Sequence, residues 1–168
     1  IAMFTSMWGV PYLMQRFSVT NTVASWVCAM TWALLAITSP VIGGLSRRFC
    51  ALSLMRLTAA VGIFGGLGIL YWPGLSLSGA YLAAAAIGVG SAGQILTFEL
   101  ARQQKMRDDL GFSISFINMG VVAGGAILQP LAAWLLHSEV AKHTTAAIGK
   151  FTTPDFQYAL FLVPLSFM

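Results

Sequence analysis

The chain has 168 residues, of which 58% are hydrophobic and 8% are charged, and its mean hydropathy is +0.81. Soluble globular domains carry roughly 25% charged residues, so this composition excludes a soluble enzyme, a disordered segment and a nucleic-acid-binding domain. The net charge of +4 is the balance of nine basic and five acidic residues, and the basic residues form no continuous stripe. We therefore attribute the positive charge to membrane orientation rather than to nucleic-acid binding. The composition predicts an integral membrane protein.

Long stretches without Lys, Arg, Asp or Glu locate the predicted membrane helices. They cover residues 17–46, 57–98 and 110–138. A membrane-spanning helix needs about 20 apolar residues, so the outer two stretches each hold one helix and the middle one holds two, separated by a turn at 72–79. Shorter apolar segments flank them at both ends. The predicted fold class is an all-α membrane bundle in one domain, with six spans at about 1–16, 22–45, 54–72, 77–100, 111–137 and 155–168.

Basic residues set the expected orientation of these spans. Six of the nine lie at the second and fourth connections: Arg47, Arg48, Arg56, Arg102, Lys105 and Arg107. Positively charged short loops face the cytoplasm, which predicts that both ends of the chain are cytoplasmic. The fifth connection, 137–153, is polar and predicted to be a mobile external segment. Since the first span lacks an initiator Met and the last is short, we expect a fragment of a longer polypeptide.

Glycine and proline inside the spans predict close helix contacts and helix breaks. Gly120 and Gly124 form a small-xxx-small pair, which lets helix backbones approach closely. Such glycines either only pack helices closely together, or form thin helix contacts that allow two helix bundles to rock against each other. Prolines interrupt four spans and tend to kink them. Broken helices at membrane depth often mark substrate sites in transporters. The best candidate for such a break is the segment 9–12, which contains Pro11.

The segment Pro40-Val41-Ile42-Gly43-Gly44-Leu45-Ser46-Arg47-Arg48-Phe49 resembles the loop signature of the major facilitator superfamily. That signature is roughly G-x-L-[AS]-D-R-x-G-R-R and follows the second helix of each six-helix half. The residues that fit it are Gly43, Leu45, Ser46 and Arg48. Arg47 stands where the acid is usual, Cys50 where a glycine is usual, and Ala51-Leu52 replace the closing Arg pair. In the family, the acid and the Arg pair latch neighbouring helices, so the resemblance implies a latch that here lacks its acid.

Three further stretches, 8–15, 93–98 and 116–131, also resemble the C-terminal half of bacterial members, and the resemblance covers essentially the whole chain. It implies that the six spans are the seventh to twelfth helices of a twelve-helix transporter in the bacterial inner membrane. The expected partners are a small-molecule substrate, the lipid bilayer and the N-terminal six-helix half. The implied cargo is a small organic solute such as an amino acid, an organic anion or a sugar derivative.

Polar and aromatic side chains within apolar spans are the predicted substrate-binding residues, because such groups usually face a bundle interior. Gln94 and Asn118 carry amides inside apolar spans. Each either lines a substrate cavity or forms a hydrogen bond between helices. Tyr12 and Gln15 adjoin the predicted break, and Gln15 could instead lie at the outer interface. Trp32 could stack on a substrate or simply pack.

Glu99 is the one acidic residue close to an apolar span. It is either a proton-coupling carboxylate or the partner of Arg102 in an i,i+3 ion pair. Cys28 and Cys50 are not expected to form a disulfide. No metal-ligand spacing, nucleotide-binding loop or nucleophile motif is present in the sequence, so no cofactor, metal or enzymatic activity is predicted.

The sequence therefore predicts a secondary active transporter, a symporter or antiporter, that works by alternating access. Two alternatives remain open. One is a non-transporting membrane scaffold or assembly protein with the same fold, which the degenerate loop signature favours. The other is a drug or siderophore exporter of the same superfamily.

Overall fold

The computed structural model describes residues 4–103, 110–143 and 152–167, and all regular structure in these ranges is helical. A π-helical turn at Phe4–Trp8 precedes eight α-helices. In chain order they are α1 Gly9–Phe17, α2 Asn21–Leu45, α3 Ala51–Tyr71, α4 Leu77–Ala92, α5 Ile95–Gln103, α6 Leu110–His143, α7 Thr153–Leu160 and α8 Leu162–Leu165.

Four segments are long and apolar enough to cross a membrane: Asn21–Leu45, Ala51–Tyr71, Leu77–Arg102 and Gly111–Ser138. They coincide with the second to fifth predicted spans and define a helical protein consistent with a membrane location. The first and sixth predicted spans correspond to shorter helices. α6 continues to His143, past its predicted end. Residues 144–151 of the fifth connection, together with Lys105 and Arg107, lie outside the described residues.

The predicted turn between the third and fourth spans is present. Gly74 has a φ of 71°, a left-handed conformation that glycine adopts without steric cost. Ser76 then caps α4, because its hydroxyl accepts a hydrogen bond of 3.2 Å from the amide of Gly79. Side-chain caps of this kind satisfy an amide that has no partner inside the helix.

Close glycine contacts join α4 to both of its neighbours. A methyl group at Gly90 would collide with the backbone of Gly62 in α3, and one at Gly88 would collide with the carbonyl of Thr31 in α2. Small residues permit such backbone approach, which is how helices associate in lipid. These contacts make α2, α3 and α4 a closely packed unit.

The glycines of α6 behave differently. A methyl group built at Gly120, Gly124 or Gly125 would meet no described atom within 4 Å. The predicted close contact of the Gly120–Gly124 pair is therefore wrong for the described part of the chain. The glycines of α4 pack tightly because α2 and α3 lie against them, whereas no described atom lies against these glycines of α6.

The predicted break near Pro11 takes the form of a wider helical turn. The π-helical turn ends at Trp8, and α1 begins at Gly9, where an added methyl group would collide with the carbonyl of Phe4 and press on the thiol of Cys28. Pro11 has no amide proton to donate, and the chain remains helical through it. Pro40 and Pro130 likewise lie inside α2 and α6 without ending them.

Candidate functional site

The fourth predicted span is interrupted at Gly93 and Gln94, where α4 ends and α5 begins. Across the interruption, amides donate to the carbonyl three residues back: Gly93 to Gly90 at 3.2 Å and Gln94 to Ser91 at 3.1 Å. This tighter 3₁₀ pattern in mid-helix is often found at functional hinges. The sequence had predicted an uninterrupted fourth span, so this break was missed.

A packing contact explains why residue 93 is a glycine. A methyl group at position 93 would collide with the hydroxyl of Thr58 in α3, so only glycine permits this approach. Glycine also lowers helix stability by roughly 1 kcal/mol relative to alanine. The run of small residues over 88–93 is visible in the sequence and could have signalled the break, but its pattern alone predicts helix packing equally well.

A cleft of about 330 Å³ lies beside this break, bounded by α3, α4, α6 and the segment around α8. The open glycines of α6 face it, and its polar lining consists of Thr58, Ser91, Gln94 and Ser166. None of the described residues that line it is ionisable. The cleft is therefore a neutral, partly polar site among apolar helices.

The position of the cleft along the spans follows from the helical rise. Gln94 lies eight residues before Arg102, or about 12 Å from that end of the span at 1.5 Å per residue. Gly124 lies in the middle of the span Gly111–Ser138. The cleft thus extends from the middle of the spans toward the end at which Arg102 lies.

Three hydroxyl groups of the cleft donate to carbonyls within their own helical turns. The pairs are Thr58 to Met55 at 3.0 Å, Ser91 to Ile87 at 2.8 Å and Ser166 to Val163 at 2.7 Å. The side-chain amide of Gln94 is exposed and makes no hydrogen bond with the described part of the chain. Gln94 is therefore available to a ligand, and the three hydroxyl oxygens offer their lone pairs.

Of the five predicted substrate-binding residues, Gln94 lines this cleft and the others do not. Asn118 is exposed on α6 outside the cleft, and Gln15 is exposed on α1. Trp32 is 45% exposed on α2, and its indole N–H donates to the hydroxyl of Thr5 at 3.0 Å. The fold does not bring these residues together.

Tyr12 lies in the core, where its side chain is fully buried. Its hydroxyl donates to the carbonyls of Ile69 at 2.9 Å and Leu70 at 3.2 Å, and accepts a hydrogen bond from Arg16. Its ring contacts Phe156 with centroids 6.0 Å apart. In this arrangement Tyr12 connects helices and does not face the cleft.

Arg16 is a structural residue that the sequence analysis did not single out. Its guanidinium donates to the carbonyls of Ile69, Leu70 and Trp72, each at 2.6 Å. The side-chain amide of Gln157 also donates to Leu70. The last carbonyls of a helix have no partner within it and form the negative end of its dipole, so Arg16 stabilises the end of α3.

The loop-signature residues lie at the opposite end of the spans, beside α5. Gly43 and Ser46 line a second cleft of about 250 Å³ together with Glu99 and Arg102. Arg102 donates to both carboxylate oxygens of Glu99 at 2.9 Å, which confirms the i,i+3 ion pair.

The remaining signature residues face outward. Gly44, Arg47 and Arg48 are exposed. Neither arginine forms an ion pair with a described residue. A latch of the kind that the family resemblance implies is therefore not formed within the described part of the chain.

No protein-family model, curated protein or solved structure matches this chain. The structure defines the class as an α-helical protein with four helices long and apolar enough to cross a membrane. The link to the major facilitator superfamily remains a prediction based on the residues quoted from the sequence.

Proposed function

We propose that this chain is the six-helix half of a secondary active transporter that moves a small organic solute by alternating access. One observation carries the proposal. Gln94 lies at a break in an apolar span, and its free side-chain amide lines a cleft of about 330 Å³. In transporters, discontinuous helices commonly form the substrate site near the bilayer midplane. A polar group among apolar spans is costly and usually functional.

The packing supplies a rigid part and a part that can move. α2, α3 and α4 are joined by glycine contacts, whereas α6 presents open glycines to the cleft. In the proposed cycle, α6 closes over the solute against the packed helices and then releases it on the other side. The turn at Gly93 and Gln94 absorbs the change in backbone angles, as hinge residues do.

The driving force in this proposal comes from a gradient of the solute or of an ion. The cleft has no ionisable lining among the described residues, so a coupling charge would come from the other half of the transporter. Membrane orientation follows the positive-inside rule, with the connection containing Arg47 and Arg48 in the cytoplasm.

A non-transporting membrane scaffold is the second candidate. The exposed Arg47 and Arg48, which pair with no described acid, favour it. A drug or siderophore exporter of the same superfamily would share the alternating-access mechanism and differ in cargo and direction.

Uptake into proteoliposomes tests the proposal. The full-length transporter that contains this half would be purified and reconstituted, and the liposomes would be loaded for counterflow with alanine, succinate or xylitol, which represent the three implied cargo classes. Transport predicts uptake of at least one of them above that of empty liposomes. Gln94→Ala should lower its rate about tenfold, the equivalent of 1.4 kcal/mol.

Gln129→Ala is the matched control, since it removes the same amide from α6 at a position outside the cleft. Its uptake should equal that of the unaltered protein. Absence of uptake by correctly folded protein would favour the scaffold. Uptake that does not respond to Gln94→Ala would show that the site is misplaced.

A further inference from the structure

We infer that the cleft beside Gln94 binds an uncharged solute rich in hydroxyl groups, of the sugar-alcohol class and of single-sugar size. That such a solute is transported rests on the proposed function, whereas its binding rests on the properties of the cleft alone. The inference follows from three properties of the cleft: the direction in which its hydroxyl groups donate their protons, the absence of charge among its described lining residues, and its volume.

The first step concerns hydrogen-bond polarity. Thr58 and Ser91 are only 6% and 8% exposed, and each donates its one proton to its own helix. Ser166 does the same. A hydroxyl that has used its proton can only accept further hydrogen bonds. Any further hydrogen bond to these three oxygens of the cleft must therefore come from a donor on the ligand.

The second step concerns Gln94, whose side-chain amide both donates and accepts. It is the one polar side chain of the described cleft lining that still has protons to offer. A ligand that matches this lining has several donors and at least one acceptor. Neighbouring hydroxyl groups on a carbon chain meet this requirement, because each hydroxyl both donates and accepts.

The third step concerns charge. A carboxylate in the cleft would face the lone pairs of three hydroxyl oxygens, and among the described side chains of the lining it could accept a hydrogen bond from Gln94 alone. An ammonium group would find acceptors but no counter-charge among the described lining residues. The nearest described ion pair, Glu99 with Arg102, lines the separate 250 Å³ cleft. Burying an unpaired charge is strongly unfavourable, which disfavours both ions.

The fourth step concerns size and shape. Sites for drug-sized ligands span roughly 300–1,000 Å³, and this cleft of about 330 Å³ lies at the lower limit. Such a volume is large enough for a single sugar alcohol. The glycine faces of α4 and α6 allow close backbone approach, and apolar residues such as Leu128 and Leu162 can pack against the carbon chain.

Binding to the purified protein in nanodiscs tests the inference with three probes that share one carbon skeleton. They are neutral xylitol, anionic xylonate and cationic 1-amino-1-deoxyxylitol. We expect xylitol to bind at least about tenfold more tightly than either ion. Equal or tighter binding of either ion would overturn the inference, as would failure of xylitol to bind.

Substitutions at Gln94 locate the ligand. Gln94→Leu should weaken xylitol binding about tenfold, while Gln129→Leu should not change it. Gln94→Glu should reverse the preference toward the amine, because the new carboxylate supplies a counter-charge. Unchanged xylitol binding by a Gln94→Leu protein with normal thermal unfolding would place the ligand elsewhere and contradict the inference.

The two proposals can fail separately. Xylitol binding without uptake of any probe would reject transport and leave the ligand class intact. Uptake of succinate or alanine by protein that does not bind xylitol would reject the ligand class and leave transport intact.

Discussion

Arg16, near the end of α1, donates a hydrogen bond of 2.6 Å to the backbone carbonyl of Leu70 in the last turn of α3. The same carbonyl accepts a hydrogen bond from Gln157 of α7. One helix end thereby holds together segments that are far apart in the chain. The two short helices α1 and α7 are joined to the long α3 through backbone carbonyls that have no partner within α3 itself.

Replacing Arg16 should destabilise the protein. In Arg16→Lys the charge remains, but a single ammonium cannot reproduce the planar fork that reaches three carbonyls. Hydrogen bonds to charged groups contribute about 1.5–3 kcal/mol, so we expect a loss of about 2 kcal/mol, measured as a lower midpoint of thermal unfolding in detergent. Arg47→Lys, at an exposed position, is the control and should melt normally. Equal melting of both variants would show that the contact adds no stability.

Two glycine-to-alanine substitutions should have opposite effects on stability. Gly90→Ala places a methyl group against the backbone of Gly62, and such overpacking typically costs 1–3 kcal/mol. Gly124→Ala meets open space and should retain or raise stability by up to about 1 kcal/mol through helix propensity. Thermal unfolding of the two variants side by side measures the difference. Destabilisation by Gly124→Ala would indicate that α6 packs closely against another helix.

The thiol of Cys50 should report the sidedness of the membrane. Cys50 is exposed between α2 and α3, whereas Cys28 is buried. An impermeant maleimide should label Cys50 in inverted membrane vesicles but not in intact cells, if the α2–α3 connection is cytoplasmic. Cys50→Ser should abolish the labelling. Labelling in intact cells would reverse the predicted orientation.

The same thiol should react at a lower pH than an ordinary cysteine. Hydrogen bonds from the backbone amides of Ser53 and Leu52 lower the pKa of Cys50. Because the thiolate is the reactive form, a lower pKa leaves a larger thiolate fraction at neutral pH. The labelling rate in inverted vesicles should therefore reach half its maximum at a lower pH than that of a free cysteine in solution. A midpoint at or above the ordinary thiol value would contradict the expected role of the amides.

Glu99→Gln should have a small effect on folding. The ion pair with Arg102 is exposed on the arginine side, and surface pairs contribute about 0–1 kcal/mol. In the proposed transporter, this variant should still accumulate its solute against a gradient, since the carboxylate is occupied by Arg102. Loss of uphill accumulation with retained counterflow would instead identify Glu99 as the coupling carboxylate.

Local patterns were enough to predict some of these features. The apolar stretches define four spans because helix length and hydropathy depend on consecutive residues alone. The Glu99–Arg102 pair is equally local, since residues three apart on a helix are always neighbours.

The candidate site depended on distant contacts. The sequence around Tyr12 predicted a substrate-binding residue, but its hydroxyl donates a hydrogen bond to the carbonyl of Ile69 near the end of α3. Gly93, at the break of the fourth span, lies against Thr58, which is distant from it in the chain. Gln94 and Asn118 are both amides inside apolar spans, and only the fold distinguishes the one that lines the cleft.

By itself, the sequence determined that the chain is helical, apolar enough for a membrane and divided into spans by its few charges. The tertiary structure decided which small residues pack, where the fourth span breaks and which polar groups remain free. The physical reason is the distance along the chain over which each interaction acts. Hydrophobicity and helix periodicity act between neighbours in the chain, whereas a glycine contact or a helix-end hydrogen bond exists only when packing brings remote segments together.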